Sequence, residues 1–394
     1  MASSILKSVP KAANKFARTN NVSAAAVNAF MTKCHVVNSP QSRSISGLSS
    51  KKMRAAYISK HNTPLEIVEL PIPTPASNQI LIQIKTSGCC HTDLHAMEGD
   101  WPVLSKLPLC PGHEGCGCIV AVGSDVKNFK VGDRVGVPWL HSACGVCEHC
   151  MTGWETLCTK QHMTGYSVDG GHREYSLADG NYAIKLPDKL SYEQAAPLMC
   201  AGVTSYKGIK ETDTKAGDFL CVIGAAGGLG HLAVQYGKAM GRRVIAVDMG
   251  KERMEYCKSL GAEFTVDVSD TSSGKTPAEI VEAYTDGGAQ GVLCLATHPS
   301  AFKSAVSMSR RKGTAVFVGL PKGGFDCSIF EIVLKRISLR GSIVGTRQDM
   351  QEALEFAERG MVKCSVELAK LEDVNDVYAR MKRNEINGRV VLQF

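Results

Sequence analysis

The chain has 394 residues and a formal net charge of +7, with 44% hydrophobic and 21% charged residues. This length exceeds the usual size of one hydrophobic core, so two domains are expected, and the composition excludes a chain that is disordered throughout. No run of about 18 uncharged apolar residues occurs, so no membrane span is predicted.

The excess of positive charge in the chain lies in its first 52 residues. Eight cations and no acid precede Met53, and the first acid is Glu66. Apolar residues recur there at helical spacing beside a basic face, namely Ile5, Leu6, Val9, Ala13 and Phe16 beside Lys7, Lys11, Lys15 and Arg18. A basic, amphipathic, serine-rich start without acids is typical of an organellar transit peptide. We predict a leader at residues 1–52 and a location in the mitochondrial matrix; a basic arm on a cytoplasmic protein is the alternative.

The remaining chain is almost neutral. Taking the leader's eight positive charges from the total of +7 leaves −1, so electrostatic support for nucleic-acid binding is missing and no nucleic-acid partner is predicted. The 16 cysteines, in a chain without a secretory signal, indicate a reducing compartment where thiols are free or bind metal.

Two sequence patterns follow each other along the chain after the predicted leader. As far as Asp179 the sequence favours short strands between Pro and Gly, such as 80–84, 118–122 and 134–137, which predicts a β-rich domain at 53–202. Apolar strands then alternate with helical segments, which predicts a doubly wound parallel sheet at 203–344. Its six predicted strands are 220–223, 244–247, 264–268, 291–295, 314–318 and 339–344.

The last segment, 345–394, is expected to return to the first domain. It contains two predicted helices, at 350–359 and 374–382, and a final strand at 389–394. The fold class predicted from the whole pattern is α/β.

A glycine-rich turn, GAAGGLG at 224–230, lies between a predicted strand and a predicted helix. Glycines there allow a tight turn and close approach to a pyrophosphate, and the helix N-terminus supplies N–H groups. The next strand ends at Asp248, 18 residues after Gly230, where an acid accepts from ribose hydroxyls and repels a 2′-phosphate. This predicts NAD rather than NADP; a structural turn with a surface acid is the alternative.

Four cysteines form the tight pattern C-x2-C-x2-C-x7-C at Cys144, Cys147, Cys150 and Cys158. Four thiolates on one loop suit a closed, structural zinc site. An iron–sulfur cluster is the rival, because C-x2-C-x2-C also begins the bacterial ferredoxin run, but that run continues with C-x3-C-P. Here the fourth cysteine comes after seven residues and Thr159 follows it, which favours zinc.

A catalytic zinc needs three protein ligands and an open position. Cys90, His113 and Cys200 offer such a set in SGCCHTDLHAMEGDW, GHEG and MCAG, although each residue by itself is unremarkable.

Several long motifs now point to a family: CCHTDLHAMEGDWP, PGHEG, the four-cysteine loop, LMCAGVTSYK, GAAGGLG, AVQYGKAMG and DGGAQGV. With these, residues 53–394 resemble the zinc-dependent alcohol dehydrogenases of the medium-chain dehydrogenase/reductase superfamily, most of all the yeast-type and bacterial NAD-dependent ethanol dehydrogenases. The resemblance implies a GroES-like catalytic domain beside a six-stranded Rossmann domain.

The resemblance also implies residue roles. Cys90, His113 and Cys200 bind the catalytic zinc, Glu114 is the acid beside it, and Asp93 orients an imidazole ligand. Thr92 bonds the alcohol oxygen, and His95 completes a proton path to solvent. The predicted cofactor-binding residues are His91, Gly224, Gly227, Gly228, Leu229, Gly230, Asp248 and Lys251. The predicted substrate pocket contains Trp101, Trp139 and Leu320.

The expected activity is interconversion of ethanol and acetaldehyde with NAD, by hydride transfer from a zinc-bound alkoxide, in a homotetramer with two zinc ions per chain. Two bulky indoles favour short alcohols. A same-fold dehydrogenase of a polyol or aromatic alcohol, a binding module without turnover, and a structural protein without zinc are the alternatives.

Overall fold

The computed structural model describes residues 51–321 and 323–394. The predicted leader therefore lies outside the described residues, except for Lys51 and Lys52. Among the helices of the described part, none is long and apolar enough to cross a membrane. The 15 cysteines of that part are all free thiols.

The first lobe is mainly β-structure. Its strands are β1 (Lys52–Tyr57), β2 (Glu66–Pro71), β3 (Gln79–Gly88), β4 (Gly115–Val122), β5 (Arg134–Val137), β6 (Leu140–Ser142), β7 (His162–Met163), β8 (Tyr175–Asp179) and β9 (Ile184–Lys185). Its α-helices are α1 (His91–Glu98), α2 (Glu148–Met151) and α3 (Tyr192–Ala195). The three strands predicted at 80–84, 118–122 and 134–137 all lie within this set.

The antiparallel pair β3 and β4 forms the centre of the first lobe. Ile80, Ile82 and Ile84 alternate along β3 and are at most 1% exposed, as period-two side chains facing a core should be. In the register of this pair, Ser87 lies opposite Gly115. The end of β3 and the start of β4 therefore lie side by side, which brings the residues after β3 close to those before β4.

The second lobe alternates strands and helices. Its strands are β10 (Phe219–Ile223), β11 (Arg243–Asp248), β12 (Phe264–Asp267), β13 (Ala289–Cys294), β14 (Ser309–Phe317) and β15 (Ser338–Gly341). Its helices are α4 (Ala201–Glu211), α5 (Gly230–Ala239), α6 (Lys251–Leu260), α7 (Pro277–Thr285), α8 (Pro299–Met308) and α9 (Ile329–Lys335).

The six strands form one parallel sheet in the order β12-β11-β10-β13-β14-β15. This is the strand order of a dinucleotide-binding fold, so the predicted doubly wound sheet is confirmed. All five residues of the central strand β10 are buried, because parallel sheets of this kind are covered on both faces. The sixth strand ends at Gly341, earlier than predicted, and the chain has left extended geometry by Val344, whose φ is +42°.

The C-terminal segment consists of α10 (Arg347–Glu358), β16 (Val366–Lys370), α11 (Val374–Lys382) and β17 (Arg389–Gln393). Strand β17 pairs antiparallel with β3, with Val391 opposite Gly88, and parallel with β16. The chain end thus becomes part of the seven-stranded sheet of the first lobe and places Arg389 near the end of β3.

Candidate active site and metal centres

A buried cluster forms where three elements meet. Cys90 follows β3, His113 and Glu114 precede β4, and Cys200 immediately precedes α4. The candidate ligand atoms of these four residues all lie within 4.8 Å of one another. The predicted catalytic ligands are therefore brought together, although Cys90 and Cys200 are 110 positions apart in the sequence.

Asp93 fixes the imidazole of this cluster. Its Oδ1 lies 2.7 Å from Nδ1 of His113 and accepts from Gly112 N–H, while its Oδ2 accepts from Cys90 N–H and so caps α1. This leaves Nε2 of His113 buried, directed into the cluster and without a hydrogen-bond partner among the described residues. A buried, unpartnered imidazole nitrogen beside two thiols fits a metal ion, because an orphaned polar atom is otherwise costly.

The two thiols of the cluster interact directly. Hydrogen bonding with Cys200 lowers the pKa of Cys90 well below its usual range. Hydrogen bonding with Cys90 and burial raise the pKa of Cys200 in turn. The site therefore already favours a thiolate, which is the form of cysteine that binds zinc.

Glu114 has a buried partner that the sequence analysis did not identify. Nη2 of Arg389 donates to Oε1 of Glu114, whereas Oε2 has no hydrogen-bond partner in the described part of the chain. Burial raises the pKa of Glu114 to about 7. A Cβ placed on Gly228 would lie 3.2 Å from Nη1 of Arg389, so the guanidinium also borders the glycine-rich turn. No local pattern marks Arg389, because its proximity to Glu114 arises from pairing of β17 with β3.

The second candidate metal centre is the four-cysteine loop. The sulfur of Cys150 lies 3.6 Å from that of Cys147 and 4.0 Å from that of Cys144, and Cys144 N–H donates to the Cys158 sulfur. Sulfurs at about 2.3 Å from a tetrahedral zinc would lie roughly 3.8 Å apart, so this spacing fits zinc. Backbone N–H groups of Val146 and Cys147 lower the pKa of Cys144 to about 6, which favours the thiolate.

The cysteine loop is fastened to the C-terminal segment by a residue pair that the sequence analysis also missed. Nε and Nη2 of Arg347, the first residue of α10, bind both oxygens of the buried Glu155 carboxylate at 2.8 to 3.1 Å. Arg347 also donates to Asn181 O and lies over the Tyr182 ring. The loop is thus anchored independently of any metal.

The glycine-rich turn joins β10 to α5, as predicted. Gly224 has a φ of +81°, and a Cβ on Gly230 would lie 2.0 Å from Gly224 O, so both positions need glycine. Gly227, Gly228 and Leu229 complete the turn, and helix α5 begins at Gly230. This arrangement leaves backbone N–H groups at the start of a ten-residue helix, where a pyrophosphate fits.

Asp248 is the last residue of β11 and forms a hydrogen bond with the glycine-rich turn. Its Oδ2 accepts from Ala226 N–H at 2.8 Å, and its Oδ1 accepts from Met249 N–H and from Nη1 of Arg253. The cation paired with Asp248 is thus Arg253, whereas the predicted Lys251 is the exposed first residue of α6. His91 is the exposed first residue of α1. The cofactor roles of Lys251 and His91 stay predictions.

Helix α1 also carries Thr92 and His95, both partly exposed. Nδ1 of His95 lies 2.8 Å from Oδ1 of Asp100, an acid that the sequence analysis did not single out. The imidazole stacks on Trp101, with ring centroids 4.9 Å apart.

A continuous wall of rings leads from His95 to the buried cluster. Trp101 contacts Tyr166, Tyr166 contacts Trp139, and Trp139 meets His113 edge-on at 5.3 Å. The two predicted pocket indoles thus lie in one wall, bridged by Tyr166, a residue without a distinctive sequence signal. Leu320 follows β14 and is 59% exposed, so its place in the pocket stays a prediction.

One further polar group was missed. The hydroxyl of Thr204, one helical turn after Cys200, is buried and has no hydrogen-bond partner among the described residues. An unpaired buried hydroxyl beside the cluster offers a contact to a ligand.

Comparisons with known proteins agree with this architecture. Residues 76–188 match the family described as the alcohol dehydrogenase GroES-like domain, and residues 228–359 match the family described as zinc-binding dehydrogenase. The chain is 50% identical to an alcohol dehydrogenase of Geobacillus stearothermophilus over 341 residues, which are 86% of this chain and 99% of that relative. The chain belongs to the zinc-binding alcohol dehydrogenase family.

Two solved alcohol dehydrogenase structures have the same fold as this chain. The alcohol dehydrogenase of the archaeon Aeropyrum pernix superposes with a TM-score of 0.78 at 30% identity, covering 86% of this chain and all of that one. A structure described as an NAD-dependent alcohol dehydrogenase gives a TM-score of 0.80 at 26% identity, with 87% and 100% coverage. The GroES-like and Rossmann-type lobes predicted from the sequence are confirmed by these matches.

Proposed function

We propose that the protein is a zinc- and NAD-dependent dehydrogenase of short primary alcohols that interconverts ethanol and acetaldehyde. The observation that carries this proposal is the buried cluster of Cys90, His113 and Cys200, into which an unpartnered imidazole nitrogen is directed. A cluster with three strong ligands and one adjacent acid leaves a position for substrate, as a catalytic zinc site must.

The catalytic ion would be held by Cys90, His113 and Cys200. A second, structural ion would be held by the loop cysteines Cys144, Cys147, Cys150 and Cys158. When bound, the first ion supplies a Lewis acid that lowers the pKa of an alcohol hydroxyl. Asp93 holds the His113 ring so that Nδ1 is engaged and Nε2 is available. The buried Glu114 keeps one carboxylate oxygen beside the cluster.

The 224–230 turn would hold NAD, which when bound would supply the hydride acceptor. The Asp248 carboxylate at the end of β11 favours a free 2′-hydroxyl over a 2′-phosphate, because like charges repel. Arg389, which borders Gly228, adds positive charge next to the position expected for the pyrophosphate. The NAD-dependent neighbour described above is consistent with this preference.

The proton released by the alcohol would leave through Thr92 and His95 on the partly exposed face of α1. Trp101, Tyr166 and Trp139 exclude water from one side of the substrate space and limit its width. A narrow aromatic wall favours two- or three-carbon alcohols over polyols and aromatic alcohols.

The test combines metal analysis with activity. Protein from Met53 onward is expected to contain about two zinc ions per chain and to reduce NAD with ethanol faster than with sorbitol or benzyl alcohol. Cys200→Ala should lose one ion and the activity, whereas Cys147→Ser should lose one ion and stability. Cys327→Ser, outside both clusters, should change neither. Iron in place of zinc, or unchanged turnover in Cys200→Ala, would show that the sites are misassigned.

We also propose a homotetramer. Helix α9 exposes Ile329, Phe330, Val333 and Leu334 at 55 to 75%, and the next strand in the chain, β15, is an edge strand of the parallel sheet. An exposed apolar helix next to an unpaired strand edge is typical of a subunit interface. Light scattering should give the mass of four chains, and Phe330→Asp should give a smaller species; a parent that is monomeric would refute the proposal.

The location in the mitochondrial matrix remains a proposal from the leader. A match over 86% of this chain covers 99% of the Geobacillus relative. The rest of this chain is about as long as the predicted leader, which is consistent with an added segment. The test is import of a reporter fused to residues 1–52 into isolated mitochondria. The comparison is a variant in which the four cations of the basic face are changed to glutamine, namely Lys7, Lys11, Lys15 and Arg18. A reporter that stays outside the mitochondria would contradict it.

A further inference from the structure

We propose that Asp100 is a positioning residue for proton transfer: it holds His95 in the tautomer whose Nε2 can accept the proton released by the alcohol. This inference rests on the proposed dehydrogenase function and gives a role to a residue for which none was predicted from the sequence. Oδ1 of Asp100 lies 2.8 Å from Nδ1 of His95, and each side chain is 20% exposed.

The local backbone explains how an acid five positions later reaches this imidazole. Helix α1 ends at Glu98, and the next residue, Gly99, adopts a left-handed φ of +66° and donates its N–H to His95 O. This reversal folds the next residue back over the last turn of the helix. A Cβ on Gly99 would lie 2.8 Å from the ring of His61, so the position is closed to larger residues.

The turn is held by a second set of contacts. Nε2 of His61 bonds the Ser105 hydroxyl at 2.9 Å, and that hydroxyl donates to Ala96 O within α1. The segment between Gly99 and Ser105 is therefore tied to the helix at both ends. Asp100 reaches His95 from a fixed backbone rather than from a free loop.

The hydrogen bond decides which ring nitrogen is available. A carboxylate accepts but does not donate, so a neutral His95 paired with Asp100 carries its proton on Nδ1. Nε2 then has a lone pair and can accept a proton. Without Asp100 the ring would divide its population between two tautomers and two ring orientations.

Glu98 and Trp101, which also lie near His95, have different partners and different functions. Oε1 of Glu98, in the same helix, lies 2.5 Å from Nζ of Lys382, so Glu98 is paired with α11. Trp101 stacks on the imidazole with an interplanar angle of 24°, which restrains the plane of the ring but not its protonation. Asp100 is therefore the group that can select the tautomer.

When ethanol is oxidised, the hydride goes to NAD and the proton leaves for a solvent base. If His95 passes that proton, a small base in the buffer can replace it. The experiment measures kcat with ethanol for the zinc-loaded parent, Asp100→Ala, Asp100→Asn, His95→Ala and Asp100→Ala/His95→Ala, at increasing imidazole concentration and constant pH and ionic strength. Glu98→Gln is the matched control.

The expected result is a loss of about tenfold or more in kcat for Asp100→Ala, with KM for ethanol within about twofold, because a positioned base contributes about 10²-fold or more. Imidazole should restore both single alanine variants, and the double variant should be no slower than His95→Ala. Asp100→Asn, whose amide oxygen can still accept from Nδ1–H, should keep most of the parental rate. Glu98→Gln should match the parent.

A purely structural role would give a different pattern: Asp100→Ala slowed but not restored by imidazole, while His95→Ala is restored. That pattern, or parental kcat in Asp100→Ala, would overturn the inference and leave the dehydrogenase function standing. A parent without NAD reduction would overturn both. A full-rate His95→Ala in an active parent would overturn the inference together with the proposed proton path.

Discussion

Arg389 and Glu114 form an ion pair inside the protein, with side chains 5% and 0% exposed, although 275 positions separate them in the sequence. The pair links the chain end, the metal-ligand cluster and the glycine-rich turn. Both ions have lost their hydration, so each depends on the other.

Removing one member of this pair should destabilise the fold strongly. Arg389→Met leaves the Glu114 carboxylate buried without its cation, which typically costs about 3 to 5 kcal/mol of unfolding free energy. Urea denaturation measures this loss. Adding Glu114→Gln to Arg389→Met should recover part of it, because no buried ion then remains unpaired.

The matched control for the buried pair is Arg380→Met. Arg380 binds Glu367 through two hydrogen bonds at the surface, where solvent screening makes the contribution of an ion pair to stability small. Equal destabilisation by Arg389→Met and Arg380→Met would contradict the argument that burial makes the first pair important.

The sequence predicts those parts of the site whose residues lie close together in the chain. The four cysteines of the loop fall within 15 positions, so spacing alone indicates a shared metal. The 224–230 turn is recognisable because its glycines lie between an apolar strand and a helix. The six strands of the parallel sheet follow from apolar runs that both faces of a buried sheet require.

Residues joined only by the tertiary fold were harder to predict. Cys90, His113 and Cys200 could be offered as a candidate set from separate motifs, but only the family resemblance gave them a shared role, since no spacing rule connects them. No sequence signal marks Arg389 or Tyr166, and the motif CCHTDLHAMEGDWP contains Asp100 without indicating its role. Their partners are defined by strand pairing, ring packing and a left-handed turn. The ion pair of Arg253 with Asp248 also gave no sequence signal, and the cofactor role of Lys251 stays a prediction.

The aromatic wall should set substrate size. Trp139→Ala removes the indole between Tyr166 and His113 and should raise the ratio of kcat/KM for 1-butanol over ethanol about tenfold, in line with about 1 to 3 kcal/mol per accommodated methylene group. Steady-state kinetics with a series of linear alcohols measures the ratio. Trp154→Ala, which removes a 42% exposed indole in the cysteine loop, is the control and should leave it unchanged.

Cofactor preference should depend on the charge of Asp248. Asp248→Asn keeps an oxygen that can accept from Ala226 N–H but removes the repulsion toward a 2′-phosphate, so kcat/KM with NADP relative to NAD should rise by about 10-fold to 100-fold. Arg253, released from the ion pair, becomes available to the phosphate; Arg253→Ala in the same background should reverse much of the gain. Asp267→Asn, at the end of β12, is the control, and an equal ratio change there would refute a specific role for Asp248.

Folding stability should decrease with acidity because a buried histidine must stay neutral. Burial lowers the pKa of His231 to about 4, and the site matches the neutral ring: Nδ1 donates to Gly227 O, and Nε2 accepts from Ser365 N–H. A proton on Nε2 would face another donor. The unfolded chain, with an ordinary histidine pKa of about 6.5, binds the proton more readily than the folded one.

The contribution of His231 is therefore complete above about pH 6.5 and is lost as the pH falls from there toward 4, which amounts to about 2 kcal/mol between pH 7.5 and pH 5. Urea unfolding at the two pH values measures it, and His231→Gln should show a smaller drop by about that amount. The exposed His162→Gln is the control and should keep the parental drop. Metal release at low pH affects all three proteins alike, so the difference between the variants isolates His231; an unchanged drop in His231→Gln would show that its proton is not linked to folding.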